Sequence, residues 1–250
     1  MRAGARVAAV VTVLLGAQAA AVAAVLAQPT PPATLPPASD VRNGRDLYQV
    51  ACSTCHGLEG QGSPLGPSLI GVGAASADFY LSTGRMPLDN PGEQAQRKKP
   101  AFTPLQIRQL VAYVASLGSG PPVPDVDWEH ADLAEGNLLY ANNCAPCHSS
   151  AGAGGALGHS TYAPALGPAT PTQVAEAIRI GPGAMPRFGP ETFDEEQLAA
   201  IVRYVQYLKD PADPGGHPLG RLGPIPEGFV AWVVGLGLLL VACRWIGTRD

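Results

Sequence analysis

Cys52-Ser53-Thr54-Cys55-His56 and Cys144-Ala145-Pro146-Cys147-His148 repeat one pattern, C-x-x-C-H, and take up four of the chain's five cysteines. This is the attachment sequence of c-type haem. Its spacing has a physical reason: on a helix, positions i, i+3 and i+4 share a face, so two thiols reach the porphyrin vinyl groups while the histidine reaches the iron. The chain is therefore expected to carry two covalently bound haem c groups, on Cys52 and Cys55 and on Cys144 and Cys147, with His56 and His148 as iron ligands.

Beyond Met1 there are only two methionines, Met86 and Met185, each followed by proline and standing 30 and 37 positions after its histidine. One per copy at matching places makes them the expected second axial ligands rather than fillers of core gaps. A His/Met iron is a low-spin electron carrier with a raised reduction potential and no open position for substrate. Two other uses of C-x-x-C are disfavoured. A zinc ribbon needs its two pairs about 15–20 residues apart, whereas 89 positions separate Cys55 from Cys144. A thioredoxin-like pair belongs beside a strand-helix-strand pattern, and here helical periodicity alternates with Gly/Pro loops. The fifth cysteine, Cys243, lies in an apolar run and reads as a small hydrophobe.

The repeat extends beyond the motifs. Gly44, Leu47, Tyr48 and Cys52 match Gly136, Leu139, Tyr140 and Cys144 at one offset, and Phe102, Gln106, Val111, Tyr113, Val114 and Leu117 match Phe193, Gln197, Val202, Tyr204, Val205 and Leu208 at nearly the same one. The 250 residues thus contain a duplicated module, with domains expected at 41–118 and 132–209. Modules of this size have little core of their own, so a covalently held apolar haem should supply much of it. Thr103-Pro104 reads as a helix start, and Leu110, Val111, Val114 and Leu117 recur at helical spacing until Gly118. The run Leu198, Ile201, Val202, Val205 and Leu208 repeats this. Gly44 and Gly136 fall inside helical patterns at a cost of about 1 kcal/mol relative to alanine, so each is expected to admit another helix. A mainly α fold follows.

Residues 227–247 are read as a transmembrane helix, uncharged from Gly228 to Cys243 and closed by Arg244, Trp245 and Arg249. The positive-inside rule keeps those arginines cytoplasmic and puts the modules on the extracytoplasmic side of the cell membrane. At the other end, Arg2 and Arg6 precede an alanine-rich apolar stretch; 1–27 is a signal peptide or N-terminal anchor, with cleavage favoured. The proline-crowded 28–40, the break 119–131 and the stretch 210–226 are assigned as linkers.

The net charge of −4 is unevenly placed. Seven basic against five acidic residues give +2 over 41–118, and four against ten give −6 over 125–209. Opposite fields suit different partners, and the carboxylates of Glu191, Asp194, Glu195 and Glu196 are expected to form a docking face. No basic stripe with interleaved aromatics points to nucleic acid.

With these motifs in hand, the runs GRDLYQVACSTCHGLEGQGSPLGPSLIGVG, STGRMP, GGALGHSTYAPAL, GPGAMPRF and PEGFVAWVVGLGLLL resemble the dihaem cytochrome c subunit of actinobacterial menaquinol:cytochrome c reductase, the cytochrome bc complex. The resemblance covers nearly all of the chain after the proline linker. It implies two tandem class I cytochrome c domains, irons held by His56 with Met86 and by His148 with Met185, and Pro67 and Pro164 beside the histidines, where a backbone carbonyl accepts the imidazole N–H. It also implies the partners: a cytochrome b subunit, a Rieske iron-sulfur subunit that delivers electrons, and an aa-type terminal oxidase that receives them in a supercomplex. On this reading the chain is an enzyme subunit of a respiratory translocase and by itself an electron carrier. The alternatives are a dihaem subunit of a cbb-type oxidase or membrane dehydrogenase, a dihaem peroxidase in which His130 or His159 displaces a methionine, and a docking module with haem as a fold staple. An oxidase subunit of that type usually carries its anchor before the modules, not after them.

Overall fold

The computed structural model describes residues 36–158, 160–212 and 224–247. The signal or anchor segment 1–27, most of the linkers 28–40 and 210–226, and His159 lie outside the described residues.

Each module is a pair of long helices crossing at a glycine, with shorter elements between them. In the first, α1 (Ala38–Ala51) runs into the short α2 (Ser53–His56), followed by α3 (Gly73–Ser82) and α4 (Pro104–Ser116). In the second, α5 (Leu133–Asn143), α6 (Ala145–His148), α7 (Pro171–Ile180) and α8 (Glu195–Tyr207) take the same order. A hairpin of β1 (Gly155–Ala156) and β2 (Tyr162–Ala163) is added after α6, pairing Gly155 with Ala163 and Ala156 with Tyr162. Capping chemistry fixes the starts: Thr103, Thr170 and Asp194 each form a reciprocal capping box with a glutamine three residues on, satisfying amides that the first helical turn leaves free.

The glycines expected to admit a neighbouring helix do so. A Cβ on Gly44 would stand 1.9 Å from the Gln109 carbonyl oxygen of α4, and one on Gly136 would stand 2.1 Å from the Ala200 oxygen of α8. Only a bare Cα allows α1 onto α4 and α5 onto α8 at these crossings. One turn further along, tyrosine rings stack tilted at centroid distances of 5.0 Å (Tyr48 and Tyr113) and 5.3 Å (Tyr140 and Tyr204). Around them, Leu110 and Ile107 close the first core, and Leu198, Ile201, Val202 and Val205 the second.

Two stretches assigned as linkers are partly built into the modules. Helix α1 begins at Ala38, inside the stretch 28–40 assigned as spacer; Asp40 sits in its first turn, where a negative charge complements the helix dipole, and its carboxylate pairs with Arg108 at 3.5 Å. Nor is 119–131 a free tether. The Pro121 carbonyl accepts the Ala75 amide at 3.0 Å, and Val126 and Trp128 pack on the core of the second module. Apolar side chains in a linker are buried when a face lies within reach.

The modules meet where α3 packs against α7. Arg97 donates to Gln173 Oε1 at 2.6 Å, and Gln173 Nε2 donates to Ser82 Oγ at 3.1 Å. The Gln94 amide pairs with both backbone groups of Tyr162, donating to its carbonyl at 2.8 Å and accepting from its N–H at 3.1 Å. That contact depends on the added hairpin, since His148 to Pro164 spans sixteen positions against eleven from His56 to Pro67. The insertion carries Tyr162 across to the first module.

Glu176, fully buried in α7, also faces this seam, its carboxyl beside that of Asp78. Burial first, then the nearby Asp78 carboxyl of α3, raise its pKa from 4.5 to about 9. A carboxyl that holds its proton more tightly in the folded chain stabilises the fold most at low pH, and that contribution is lost as pH rises from about 4.5 to about 9. Glu176→Gln should remove this share of the pH dependence. Thermal midpoints of both proteins between about pH 5 and pH 9 check it, and parallel profiles would rule the carboxyl out.

Beyond the modules, α9 (Pro224–Val230), a π-helical turn (Ala231–Leu236) and α10 (Gly237–Gly247) form one rod. Glu227–Gly247 is, among the described residues, the one segment long and apolar enough to cross a membrane. None of it is buried against the modules.

Candidate functional site

Both C-x-x-C-H motifs are wound into a single turn that continues the preceding helix. The Cys52 amide bonds the Tyr48 carbonyl at 2.8 Å and the His56 amide the Cys52 carbonyl at 3.0 Å; Cys144 with Tyr140 and His148 with Cys144 repeat this at 2.8 and 2.9 Å. The chain then reverses through a left-handed residue, Gly57 (φ 80°) in the first copy and Ser149 (φ 63°) in the second. The buried Tyr48 hydroxyl donates to the Gly57 carbonyl and the Tyr140 hydroxyl to that of Ser149, both at 2.7 Å. The tyrosines visible in the repeat thus clamp the turn that carries each histidine.

His56 Nδ1 lies 2.8 Å from the Pro67 carbonyl oxygen, and His148 Nδ1 lies 3.0 Å from that of Pro164. A carbonyl can only accept, so each Nδ1 carries a proton, which in the neutral imidazole leaves the lone pair on Nε2. Burial lowers the pKa of His148, partly opposed by the bond to Pro164, which favours the neutral form that binds metal. Gly66, unnoticed in the sequence, makes room for the first ring: a Cβ there would stand 3.2 Å from His56 Cε1 and 2.9 Å from the Cys55 carbonyl oxygen.

Met86 follows α3, its amide bonded to the Tyr80 carbonyl at 3.0 Å. Met185 lies in the loop after α7, and that loop is pinned by a residue with no sequence signal, Arg179. Its buried guanidinium donates to the carbonyls of Phe193 at 2.7 Å and Phe188 at 3.3 Å and to Glu195 Oε1 at 2.8 Å. Of the acidic residues expected to form a docking face, Glu191, Asp194, Glu195 and Glu196 are all exposed; Glu195 also pairs with Arg179, and Asp194 also caps α8 by accepting the Gln197 amide at 2.8 Å.

One cavity of about 680 Å³ receives the motif residues of both modules. Cys52, His56, Pro67 and Met86 line it from one side, and Cys144, Cys147, His148, Pro164 and Met185 from the other. Cys55 is half-buried and outside the lining. His130 is exposed, bonded to Asp127 at 2.8 Å, and away from the cavity.

The donors fit haem and not a bare ion. Among the described residues no group of three or more His, Cys, Asp or Glu side chains is placed to hold a metal, so a zinc ion would find too few ligands. Each half of the cavity offers one imidazole nitrogen and one thioether, the axial pair required by an iron whose other four ligands come from a porphyrin. Thiol redox chemistry fits poorly, because burial pushes the Cys52 and Cys144 thiols up to about 11, whereas reactive C-x-x-C thiols are lowered.

Comparison with known proteins agrees with this geometry. Residues 41–118 match the family model described as cytochrome c, and 131–205 the model described as cytochrome c oxidase, cbb3-type, subunit III. The chain is 41% identical over 218 residues to the cytochrome bc1 complex cytochrome c subunit of Mycobacterium leprae, covering 84% of this chain and 75% of that protein. The same subunit of Corynebacterium efficiens is 38% identical over 228 residues, with 84% and 77% covered. The chain belongs to the family of cytochrome bc1 complex cytochrome c subunits. A cbb3-type cytochrome c oxidase subunit, FixP, of Sinorhizobium medicae is more distant at 27% identity over 177 residues, with 65% and 59% covered. Two cytochrome c domains imply covalently bound haem c and electron transfer as the work of this subunit.

Proposed function

We propose that this chain is the membrane-anchored dihaem subunit of a respiratory quinol:cytochrome c reductase, taking electrons from a Rieske iron-sulfur protein and passing them through two haem c groups to a terminal oxidase. The observation that carries the reading is the pairing, in each module, of a Nδ1-protonated histidine and a methionine on the walls of one apolar cavity. Haem bound there supplies a one-electron ferric/ferrous couple. Cys52 with Cys55, and Cys144 with Cys147, would hold it covalently, and His56 with Met86, and His148 with Met185, would ligate the iron. The Pro67 and Pro164 carbonyls fix the imidazole planes and raise ligand basicity. With a histidine and a methionine both ligating the iron, no position would be left for peroxide.

The family resemblance supports the cytochrome b and Rieske subunits as partners, an aa-type oxidase as acceptor, and a cell-membrane location with the modules on the extracytoplasmic side. The span after the modules also favours this complex over a cbb-type oxidase subunit. Purification in mild detergent with identification of the retained subunits tests the assembly, and recovery of a dehydrogenase in place of cytochrome b would overturn it.

The axial assignment has its own test. Met86→His and Met185→His should each stay low-spin while one haem falls in reduction potential, because a methionine ligand holds the potential up. The weak near-infrared methionine-to-iron band of the oxidised protein should lose intensity in each variant. A wild type without that band, or two variants that both keep it whole, would mean other ligands.

A further inference from the structure

Arg85 stands next to the ligand Met86 and lines the same cavity. Only 9% of it is exposed, and its Nη1 is buried with no hydrogen-bond partner. Its guanidinium stacks over the Phe79 ring at 4.7 Å, and among the described residues no carboxylate comes within ion-pair distance of it. Arg97 also lines the cavity, from an exposed position. A buried cation at an apolar void with no carboxylate in reach is costly unless an anion neutralises it. Arg97 is held in place by Gln173 of the second module, so this cationic patch sits at the seam.

The peripheral anionic groups that haem c brings into such a void are its two propionate carboxylates, since its methyl and thioether substituents are uncharged. We propose that Arg85, assisted by Arg97, anchors a propionate of the haem held by His56 and Met86, and so turns that edge of the ring toward the second module. The proposal rests on the two-haem reading. Arg85 acts as a positioning residue and as the countercharge that offsets the propionate beside the iron, which favours the reduced form.

The test is a spectroelectrochemical titration of the full chain in its detergent-purified complex. Arg85→Gln should still carry two haems by mass and keep the near-infrared methionine band, while one haem loses at least a factor of ten in its reduced-to-oxidised ratio at fixed ambient potential, about 59 mV for one electron. Arg85→Lys, which keeps the charge, should recover most of that shift, as a role in packing alone would not. Arg97→Gln, at an exposed position, should move the same haem in the same direction by less. Two haems in place with both potentials unchanged in Arg85→Gln would overturn the proposal; if that variant fails to accumulate, unchanged potentials in Arg97→Gln would do so. A wild-type mass with fewer than two haems would instead refute the reading beneath it.

Discussion

Gly136→Ala is expected to destabilise the second module and Gly44→Ala the first, although helix propensity alone predicts the reverse. Alanine in a helix interior is favoured over glycine by about 1 kcal/mol. Against this stands a Cβ that would lie 2.1 Å from the Ala200 oxygen or 1.9 Å from the Gln109 oxygen. These are backbone atoms of a packed helix, with no flexible end to swing aside. Forcing them apart costs about 1–3 kcal/mol or more, and the helices that part are those that position Tyr48 over the first haem turn and Tyr140 over the second. For a domain of this size each kcal/mol lowers the melting temperature by about 4–8 °C. Calorimetry of the variants should show one lowered transition, and an unchanged or raised midpoint would mean that the crossing relaxes freely. Gly44→Val and Gly136→Val should be worse, with less haem retained.

The second large effect concerns the cofactor. Denatured wild-type chain should gain the mass of two haems, because thioether bonds survive unfolding. Cys52→Ala with Cys55→Ala should leave one haem, held by Cys144 and Cys147, and the converse pair should leave the other. The motifs lie on separate helical turns, each braced by its own tyrosine. Intact-mass spectrometry separates the outcomes. A wild type with one haem or none would end the dihaem reading, and loss of both haems from either double variant would show that the modules mature together.

Much of this was legible in the sequence because the features that carry it are local. The C-x-x-C-H turns, the Thr103-Pro104 helix start and the glycines at 44 and 136 announce themselves through spacing or an unfavourable residue retained in a helix, and the duplication doubles each signal. The pairing of two cytochrome c domains with one apolar C-terminal helix followed directly. What stayed hidden depends on contacts between distant segments. Arg179 looks like an ordinary surface cation until the loop of Met185 folds back over it. Arg85 and Glu176 carry no local sign of burial, because burial is decided by the docking of α3 on α7. The second roles of Asp194 as a cap and of Glu195 as the partner of Arg179 were hidden for the same reason. The start of α1 at Ala38 was obscured by the prolines just before it.

The continuity of the cavity across both modules has a consequence for how the protein titrates. On the two-haem reading proposed above, an electron placed on one iron would be felt electrostatically by the other across this single low-dielectric space. The two midpoints would then belong to the pair, as those of coupled protonations do, and neither would be the intrinsic property of one ligand set. A half-reduced molecule would be favoured over a mixture of empty and doubly loaded ones, so the chain would tend to hold one electron at a time.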